Sequence, residues 1–357
     1  MVTLTIGASD GAPATLAAER FNRHTFWCGQ SGSGKTYALG LVLEQLLLHT
    51  RLPLLILDPN ADFVGLGTPR DGADAPSAAL LEQRDVRVLN SPARDGQRLH
   101  VRFNDMNLRT KAAVLRLDPV LNAEEYNVLL QFERDGADTE RADFLDSLRA
   151  SGDPARARLA TRVENLGILD WSVWARGQVA AEDVVAERPD ATVADLSGFA
   201  HPDEPRAAAL ALLDELWEQR NERRPVLIVI DEAHNLCAPN PATPLESALT
   251  ERLIQIAAEG RKYGLWLLLS TQRPSKIHPN VLSQCDNLAL MRMSSARDLA
   301  ELSEAFGYAP SELVLESPRF PKGRALFAGG FISAPTLVQM GNRLSVEGGA
   351  DVAVPLR

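Results

Sequence analysis

The chain has 357 residues, of which 45% are hydrophobic and 24% are charged, a composition that is ordinary for a globular protein with a packed core. Its formal net charge of −10 argues against a generally basic nucleic-acid-binding surface, although it allows a local basic channel. The three cysteines lack metal-ligand spacing, and the chain shows neither a signal peptide nor a membrane-spanning apolar run. The sequence therefore predicts a reduced, cytoplasmic protein that does not enter a membrane.

A phosphate-binding loop is the strongest signal near the N-terminus. The stretch "HTFWCGQSGSGKT", residues 24–36, has the pattern G-x-x-x-x-G-K-T. A β-prone run precedes it and a stretch of helical length, residues 36–50, follows, which is the strand–loop–helix context that this loop requires. A Gly/Ser-rich surface turn is the alternative interpretation, and the flanking elements make it the weaker one. The predicted phosphate-binding residues are Gly29, Gln30, Ser31, Gly32, Ser33, Gly34, Lys35, Thr36 and Tyr37.

Two residues of this loop have distinct predicted roles. Lys35 is expected to reach the β- and γ-phosphates of ATP, and the hydroxyl of Thr36 is expected to bind Mg²⁺. The backbone N–H groups and the N-terminus of the following helix would supply the remaining attraction for phosphate. The sequence therefore predicts ATP and Mg²⁺ as cofactors, although the pattern alone also fits GTP.

The middle of the chain combines strands with a long helical region. The run "LPLLIL" ends at Asp58 and predicts a buried parallel strand. Short strands are predicted at 85–90 and 100–104, and 67–77 is expected to be an exposed loop. From Leu108 to about Arg176 the pattern is helical, broken at Gly136, Gly152 and Pro154. We interpret 108–190 as a helical subdomain inserted into the sheet.

A second apolar strand leads into two acidic residues. Strand pattern returns at 191–199, a helix is predicted at 204–224, and "VLIVI" then ends at Asp231 and Glu232. After a phosphate loop, the first acid is expected to hold Mg²⁺ and the second to polarise the attacking water. Helix capping is the alternative. Residues 231–234 read Asp-Glu-Ala-His, as in a group of RNA helicases, but those have two tandem motor domains and this chain is too short for both.

The last third of the chain continues the alternation of strands and helices. A third apolar run at 265–275 ends near Gln272, which is our candidate to contact the γ-phosphate; a polar residue that merely ends a strand is the alternative. Helices are predicted at 278–284 and 295–307, and strands at 286–293, 323–329 and 334–340. This alternation predicts an α/β fold with a doubly wound, mainly parallel central sheet, which binds its ligand at the carboxyl ends of the strands.

The combined motifs resemble the HerA/FtsK family of P-loop ATPases, specifically the HerA central domain, from about Arg23 to Val352. The resemblance rests on "RHTFWCGQSGSGKT", "ILDPNADF", "ATVADLSGF", "VLIVIDEAHNL", "IAAEGRKYGLWLLLSTQRPSKI", "VLSQCDNLALMRM" and "GGADV". It implies a RecA-like (ASCE) P-loop NTPase fold, with the core at 21–107 and 191–345 in a single domain, 1–357. The family usually has an N-terminal β-barrel, which is not expected here because only about twenty residues precede Arg23.

The resemblance also implies site residues and partners. Arg23 and Arg261 match arginines that in the family serve ATP sites at subunit boundaries, where they stabilise charge on the transferred phosphoryl group. For Arg261 a solvated helix end is the alternative. The catalytic set is therefore Lys35, Glu232, Gln272, Arg261 and Arg23, and the metal set is Thr36 and Asp231.

Two functions are compatible with these motifs. The favoured one is an ATP-driven, homo-hexameric translocase of double-stranded DNA that works with a partner nuclease, with Arg70, Arg273 and Lys276 as candidate pore residues. The alternative is an ATP-dependent oligomeric module that controls a partner effector, for example in antiviral defence, without moving along DNA. The acidic net charge and the short N-terminus favour the alternative mildly.

Overall fold

The computed structural model describes residues 2–136 and 144–349. Eleven strands in this part of the chain form one sheet. The strands are β1 (Thr3–Ser9), β2 (Ala12–Ala17), β3 (His24–Cys28), β4 (Leu54–Asp58), β5 (Val86–Leu89), β6 (Ala191–Asp195), β7 (Val226–Ile230), β8 (Leu265–Thr271), β9 (Cys285–Met291), β10 (Arg324–Gly329) and β11 (Thr336–Met340). Their order across the sheet is β2-β1-β11-β10-β9-β3-β8-β7-β4-β6-β5.

Helices cover both faces of this sheet. They are α1 (Lys35–His49), α2 (Ala75–Glu82), α3 (Leu108–Val114), α4 (Ala123–Asp135), α5 (Phe144–Ala150), α6 (Pro154–Leu166), α7 (Ala181–Glu187), α8 (Glu204–Glu218), α9 (Pro244–Glu259), α10 (Pro279–Leu282), α11 (Ala296–Ala305) and α12 (Ser311–Leu315). Among the described residues, no helix combines the length and apolarity that crossing a membrane requires.

The central part of the sheet is parallel. Strands β9, β3, β8, β7, β4, β6 and β5 pair in parallel with their neighbours. Every residue of β3, β4, β6 and β7 is buried, as expected for strands that are covered on both faces. The predicted mainly parallel α/β fold is therefore confirmed. Strands β10, β11, β1 and β2 extend the sheet beyond β9 in antiparallel order.

Two apolar layers pack against the two faces. One contains α1 with β1 and β2, and inward side chains of the central strands such as Ile56 and Val229. The other contains α8 and α9, and it continues into the helices α3 to α7, which follow one another between β5 and β6 in the chain. Alternate residues of β4 therefore enter different layers: Ile56 belongs to the first, and Leu55 and Leu57 belong to the second.

The structure differs from the sequence prediction at two places. The strand predicted at 100–104 is not formed, since only Val101 makes an isolated bridge, to Trp174. Residues 3–17, to which no element was assigned, form the β1–β2 hairpin, which joins β11. The sequence carries a signal for this hairpin, because the buried Leu4, Ile6 and Leu16 each stand between more exposed residues and an Asp-Gly turn connects the strands.

Parts of two sequence interpretations lie outside the described residues. The helical pattern predicted between Gly136 and Gly152 begins within 137–143, and the tail motif "GGADV" extends beyond 349. The adjoining described elements are α5 and the loop that follows β11. The loop at 67–77 is largely exposed, as predicted, and α2 begins at Ala75 near its end.

Candidate nucleotide site

Parallel strands bring the predicted site residues to one edge of the sheet. The phosphate loop follows β3, Asp58 ends β4, and Asp231 directly follows β7. Thr271 ends β8, and its carbonyl accepts a hydrogen bond of 3.3 Å from the N–H of Gly29. Because β3, β8, β7 and β4 run in the same direction, all their carboxyl ends lie at this edge, where α/β sheets bind ligands.

Glycines make the tight path of the loop possible. Gly34, the residue before α1, has φ = 91°, in the left-handed region that favours glycine. A side chain at Gly29 would place its Cβ 2.8 Å from Cβ of Met291 and 2.8 Å from Oγ of Ser33. The two glycines of the motif are therefore required for different reasons, one by backbone conformation and the other by close packing.

Lys35 lies in a buried network with the acids that follow β7. Its Nζ donates hydrogen bonds of 2.7 Å to Oδ1 of Asp231 and 2.8 Å to Oγ of Ser270, and it lies 3.3 Å from Oε1 of Glu232. Burial favours the neutral amine, but the two carboxylates outweigh this effect and raise the pKa of Lys35. The lysine is therefore charged, and the carboxylates of Asp231 and Glu232 hold it in place.

The carboxylate of Asp231 has one oxygen free for a further ligand. The Ser270 hydroxyl donates a 2.6 Å hydrogen bond to Oδ1, while Oδ2 is buried and has no hydrogen-bond partner among the described residues. Buried polar atoms are rarely left unpaired, and a carboxylate oxygen is a ligand that Mg²⁺ accepts. The orphaned oxygen therefore fits a magnesium ligand, and Thr36, the second residue of α1, lines the cavity that opens over the phosphate loop.

Glu232 is held as an ionised carboxylate. Gln272 Nε2 donates a 2.7 Å hydrogen bond to Oε1, and Nδ1 of His234 lies 3.2 Å from Oε2. Burial opposes ionisation, but His234, Lys35 and Gln272 overcome it and lower the pKa of Glu232 to about 2. Its backbone is left-handed, with φ = 43°, a conformation that non-glycine residues adopt rarely and often at functional sites.

Asp231 is one of three carboxylates that lie close enough together to hold a metal ion. Oxygens of Asp58, Asp62 and Asp231 lie within 4.8 Å of one another. Backbone N–H groups of Asp62 and Phe63 donate to Asp58 at 3.0 and 2.7 Å. Burial raises the pKa of Asp58 to about 7 and that of Asp62 to about 6. No role was assigned to these two acids from the sequence, although Asp58 stands where an apolar strand ends.

A cavity of about 610 Å³ opens over the loop. Gln30, Ser31, Gly32, Lys35 and Tyr37 line it, whereas Ser33 is fully buried beneath it. Sequence reasoning missed the residues from the C-terminal part of the chain that also line it. They are Lys322, Gly323, Gln339, Met340, Gly341, Asn342 and Glu347.

The two predicted arginines lie at the opposite edge of the sheet. Arg261 NH1 is 2.7 Å from Oδ2 of Asp286, and Arg23 Nε is 3.7 Å from the same atom. Arg23 precedes β3 and the phosphate loop follows it, so the five residues of β3, about 16 Å, separate them. Neither arginine is in the site of its own chain. The candidate pore residues Arg70, Arg273 and Lys276 are exposed and follow β4 or β8.

Comparison with known proteins agrees with this geometry. Residues 3–149 match the family model "Helicase HerA, central domain", a match that begins before Arg23. The chain is 31% identical over 131 residues to a probable DNA double-strand break repair helicase HerA of Methanocaldococcus jannaschii, covering 37% of this chain and 25% of that protein. It is 32% identical over 126 residues to the HerA of Pyrococcus furiosus, covering 35% and 22%. The matched region is therefore about a quarter of these relatives' length.

Solved structures show the same fold at low sequence identity. VirB4 of Thermoanaerobacter pseudethanolicus has a TM-score of 0.61 at 15% identity, covering 95% of this chain and 96% of that one. The bacterial conjugative coupling protein TrwB has a TM-score of 0.59 at 15% identity, covering 94% and 88%. Together with the phosphate loop and the paired acids, these matches show a RecA-like P-loop ATPase fold, and residues 3–149 are similar to the HerA central domain.

Proposed function

We propose that this chain is an ATP-hydrolysing motor that moves double-stranded DNA, works as a homo-hexamer and serves a partner nuclease. The observation that carries the ATPase part is the cluster of Lys35, Asp231, Glu232 and Gln272 at the phosphate loop. The cluster offers a lysine for the phosphates, an aspartate for Mg²⁺, a glutamate as general base and a glutamine that positions it. The names of the curated relatives, which are DNA repair helicases, support DNA as the substrate.

Binding of ATP would rearrange the buried network. Lys35 would leave the acids for the β- and γ-phosphates, which carry more negative charge than either carboxylate. Thr36 and the unpaired Oδ2 of Asp231 would hold Mg²⁺, which neutralises charge on the phosphates. Glu232, already ionised, would accept a proton from the attacking water, and Gln272 fixes its orientation through the 2.7 Å hydrogen bond.

The position of the arginines supports assembly into a ring. Arg23 and Arg261 cannot reach the phosphates of their own chain, because they lie at the other edge of the sheet. In a ring, that edge would face the nucleotide of a neighbouring subunit, where an arginine stabilises the developing charge. Asp286 would then hold both guanidinium groups until the neighbour binds ATP.

DNA-stimulated ATP turnover tests the motor proposal. Turnover of the purified protein is measured with and without long duplex DNA at low and moderate salt, with Glu232→Gln as the blank. Strong stimulation that fades with salt supports a DNA motor, because phosphate contacts depend on salt. ATP turnover that depends on Glu232 but is not changed by DNA would contradict translocation. It would favour the alternative function, an ATP-dependent oligomeric module that controls a partner effector.

Individual pore candidates can be tested in the same assay. Arg273→Ala and Lys276→Ala should weaken stimulation by DNA and leave basal turnover unchanged, because both side chains are exposed and a phosphate contact contributes only to DNA binding. Arg297→Ala, an exposed arginine on α11, is the matched control. Stimulation equal to that of the wild type in both variants would remove these two residues from the proposed DNA path.

A further inference from the structure

The cavity over the phosphate loop has two chemically different ends. On one side of β3, β8 brings Gln272, which lines the cavity, and β7 brings Asp231 and Glu232 beside it at the carboxyl edge of the sheet. On the other side, the start of β10 and the end of β11 bring Lys322, Gln339 and Asn342 to the same edge. The phosphate loop lies between the two groups, so a ligand bound there extends from one end towards the other.

The chemistry at the first end fixes the orientation of a nucleotide. A γ-phosphate must lie beside Glu232 and Gln272 to meet the activated water. Because the phosphate chain then lies along the loop, the ribose and the base extend away from the acids. They reach the end of the cavity that Gln339 and Asn342 line.

The side chains at this second end are available to a ligand. Gln339 is exposed, and its Nε2 makes one weak hydrogen bond of 3.3 Å, to the carbonyl of Lys322. Asn342 is exposed, and its side chain makes no hydrogen bond within residues 2–136 and 144–349. An amide side chain offers two N–H donors and one oxygen acceptor, which match the edges of a base and the hydroxyl groups of ribose.

The segment that carries Asn342 is held rigidly against α1. We call residues 341–349 the strap. The hydroxyl of Tyr37 accepts a 2.7 Å hydrogen bond from the N–H of Arg343, next to Asn342. The carboxylate of Glu44 accepts hydrogen bonds of 2.7 Å from the N–H groups of Leu344 and Ser345. Both Tyr37 and Glu44 are on α1, the helix whose N-terminus follows the phosphate loop. The strap therefore keeps a fixed position relative to the phosphate loop.

A buried ion pair makes the same attachment stronger. Arg343 is 1% exposed, and its Nε lies 3.4 Å from Oε1 of Glu44. Its guanidinium group lies against Gly40, where a Cβ would be 2.5 Å from Cζ of Arg343. Further along, the N–H of Gly348 donates to the carbonyl of Asp62, so the strap spans α1 and ends beside the acidic cluster. Because the strap is fixed at both ends, it is preorganised and loses little conformational entropy when a ligand binds.

We propose that Gln339 and Asn342, carried by β11 and the strap, form the subsite for the nucleoside part of the bound nucleoside triphosphate. This inference rests on the proposed function, because it requires that the phosphate loop binds a nucleotide. Phosphate affinity comes from the loop and Lys35, whereas the difference in affinity between a nucleotide and bare polyphosphate comes from this subsite.

Two ligands with the same phosphates test the subsite. Titration calorimetry with Mg²⁺ compares ATP with inorganic tripolyphosphate for the wild type, Gln339→Ala and Asn342→Ala. Each variant should bind ATP roughly three- to tenfold more weakly, the effect of one lost hydrogen bond, and should bind tripolyphosphate as the wild type does. Gln97→Ala, an exposed glutamine beyond β5, is the matched control, and unfolding midpoints equal to that of the wild type confirm intact folding.

Steady-state turnover gives a second readout. Both variants should raise KM for ATP and leave kcat unchanged, because the substituted side chains lie away from Glu232. Unchanged ATP affinity in both variants, or equal weakening of ATP and tripolyphosphate, would overturn the subsite. Failure of the wild type to bind either ligand would instead overturn the proposed nucleotide-binding function, and the subsite with it.

Discussion

Replacement of Lys35 by methionine should destabilise the nucleotide-free protein at neutral pH. The lysine is 4% exposed, and its partners Asp231 and Glu232 are 0% and 7% exposed. Removing one partner from a buried charged network typically costs about 3–5 kcal/mol, because the remaining charges stay buried without compensation. For a chain of 357 residues, that loss corresponds to a decrease of roughly 4–7 °C in the midpoint of thermal unfolding.

The destabilisation should depend on pH with a defined sign. In the wild type the pKa of Glu232 is lowered to about 2, so its ionised form contributes stability that is present above the unfolded pKa, about 4.3. That contribution is lost as the pH falls from about 4 towards 2. In Lys35→Met the carboxylate of Glu232 loses a positive charge that helps to lower its pKa, so it protonates at a higher pH. The difference in midpoint between the two proteins should therefore be largest above about pH 5 and should narrow as the pH falls.

Thermal unfolding followed by circular dichroism at several pH values, without nucleotide, measures this effect. Lys322→Met is the matched control, because Lys322 is exposed in the same cavity and has no ion-pair partner among the described residues. It should leave the midpoint unchanged. Equal midpoints for Lys35→Met and the wild type at pH 7 would refute the view that the buried network stabilises the nucleotide-free state. Tight nucleotide binding should also be lost in Lys35→Met.

Three further substitutions test other parts of the structure. Glu232→Gln should bind ATP but hydrolyse it about 10²–10⁴-fold more slowly, because the general base is removed. Single-turnover assays measure this rate, with Glu304→Gln on the surface as the control. A rate equal to that of the wild type would exclude Glu232 as the general base. Arg261→Ala should be inactive as an assembled ring. Mixed with Glu232→Gln it should regain some ATP turnover, since some sites in a mixed ring combine an intact Glu232 with an intact Arg261 of the neighbouring subunit. No recovery of turnover at any mixing ratio would argue against a contribution of Arg261 in trans. Gly40→Ala should lower the unfolding midpoint, because the new Cβ would clash with the buried guanidinium group of Arg343. Replacing glycine by alanine within a helix normally stabilises it, so a raised midpoint would show that the strap moves to make room for the Cβ.

Local patterns in the sequence predicted which residues meet beside the phosphate loop. The phosphate loop needs glycines, a lysine and a threonine at fixed spacing, and the acids follow an apolar run that can only be a buried strand. Gln272 was found in the same way, and the structure places it 2.7 Å from Glu232. These residues were predictable because each one sits directly after a strand, and parallel strands end at a common edge.

The order of the strands, by contrast, was decided by tertiary structure. Gln339 and Asn342 line the cavity because β11 pairs with β10 and lies on the far side of β9, over 300 residues from the phosphate loop. No local pattern marks such residues, because an exposed amide at the end of a strand resembles any other polar residue. The carboxylates of Asp58, Asp62 and Asp231 also meet only through folding, since Asp58 ends β4 and Asp231 follows β7, far away in the chain.

The sequence by itself thus determined the phosphate loop, the acids and the parallel class of the sheet, because these depend on spacing and on runs of apolar residues. The tertiary structure alone decided that Gln339 and Asn342 line the cavity, that the strap is held against α1, and that Arg23 and Arg261 share Asp286 at the opposite edge. The physical reason is that strand pairing joins residues that are far apart in the chain. It depends on the packing of two whole layers against the sheet and not on any short stretch of residues.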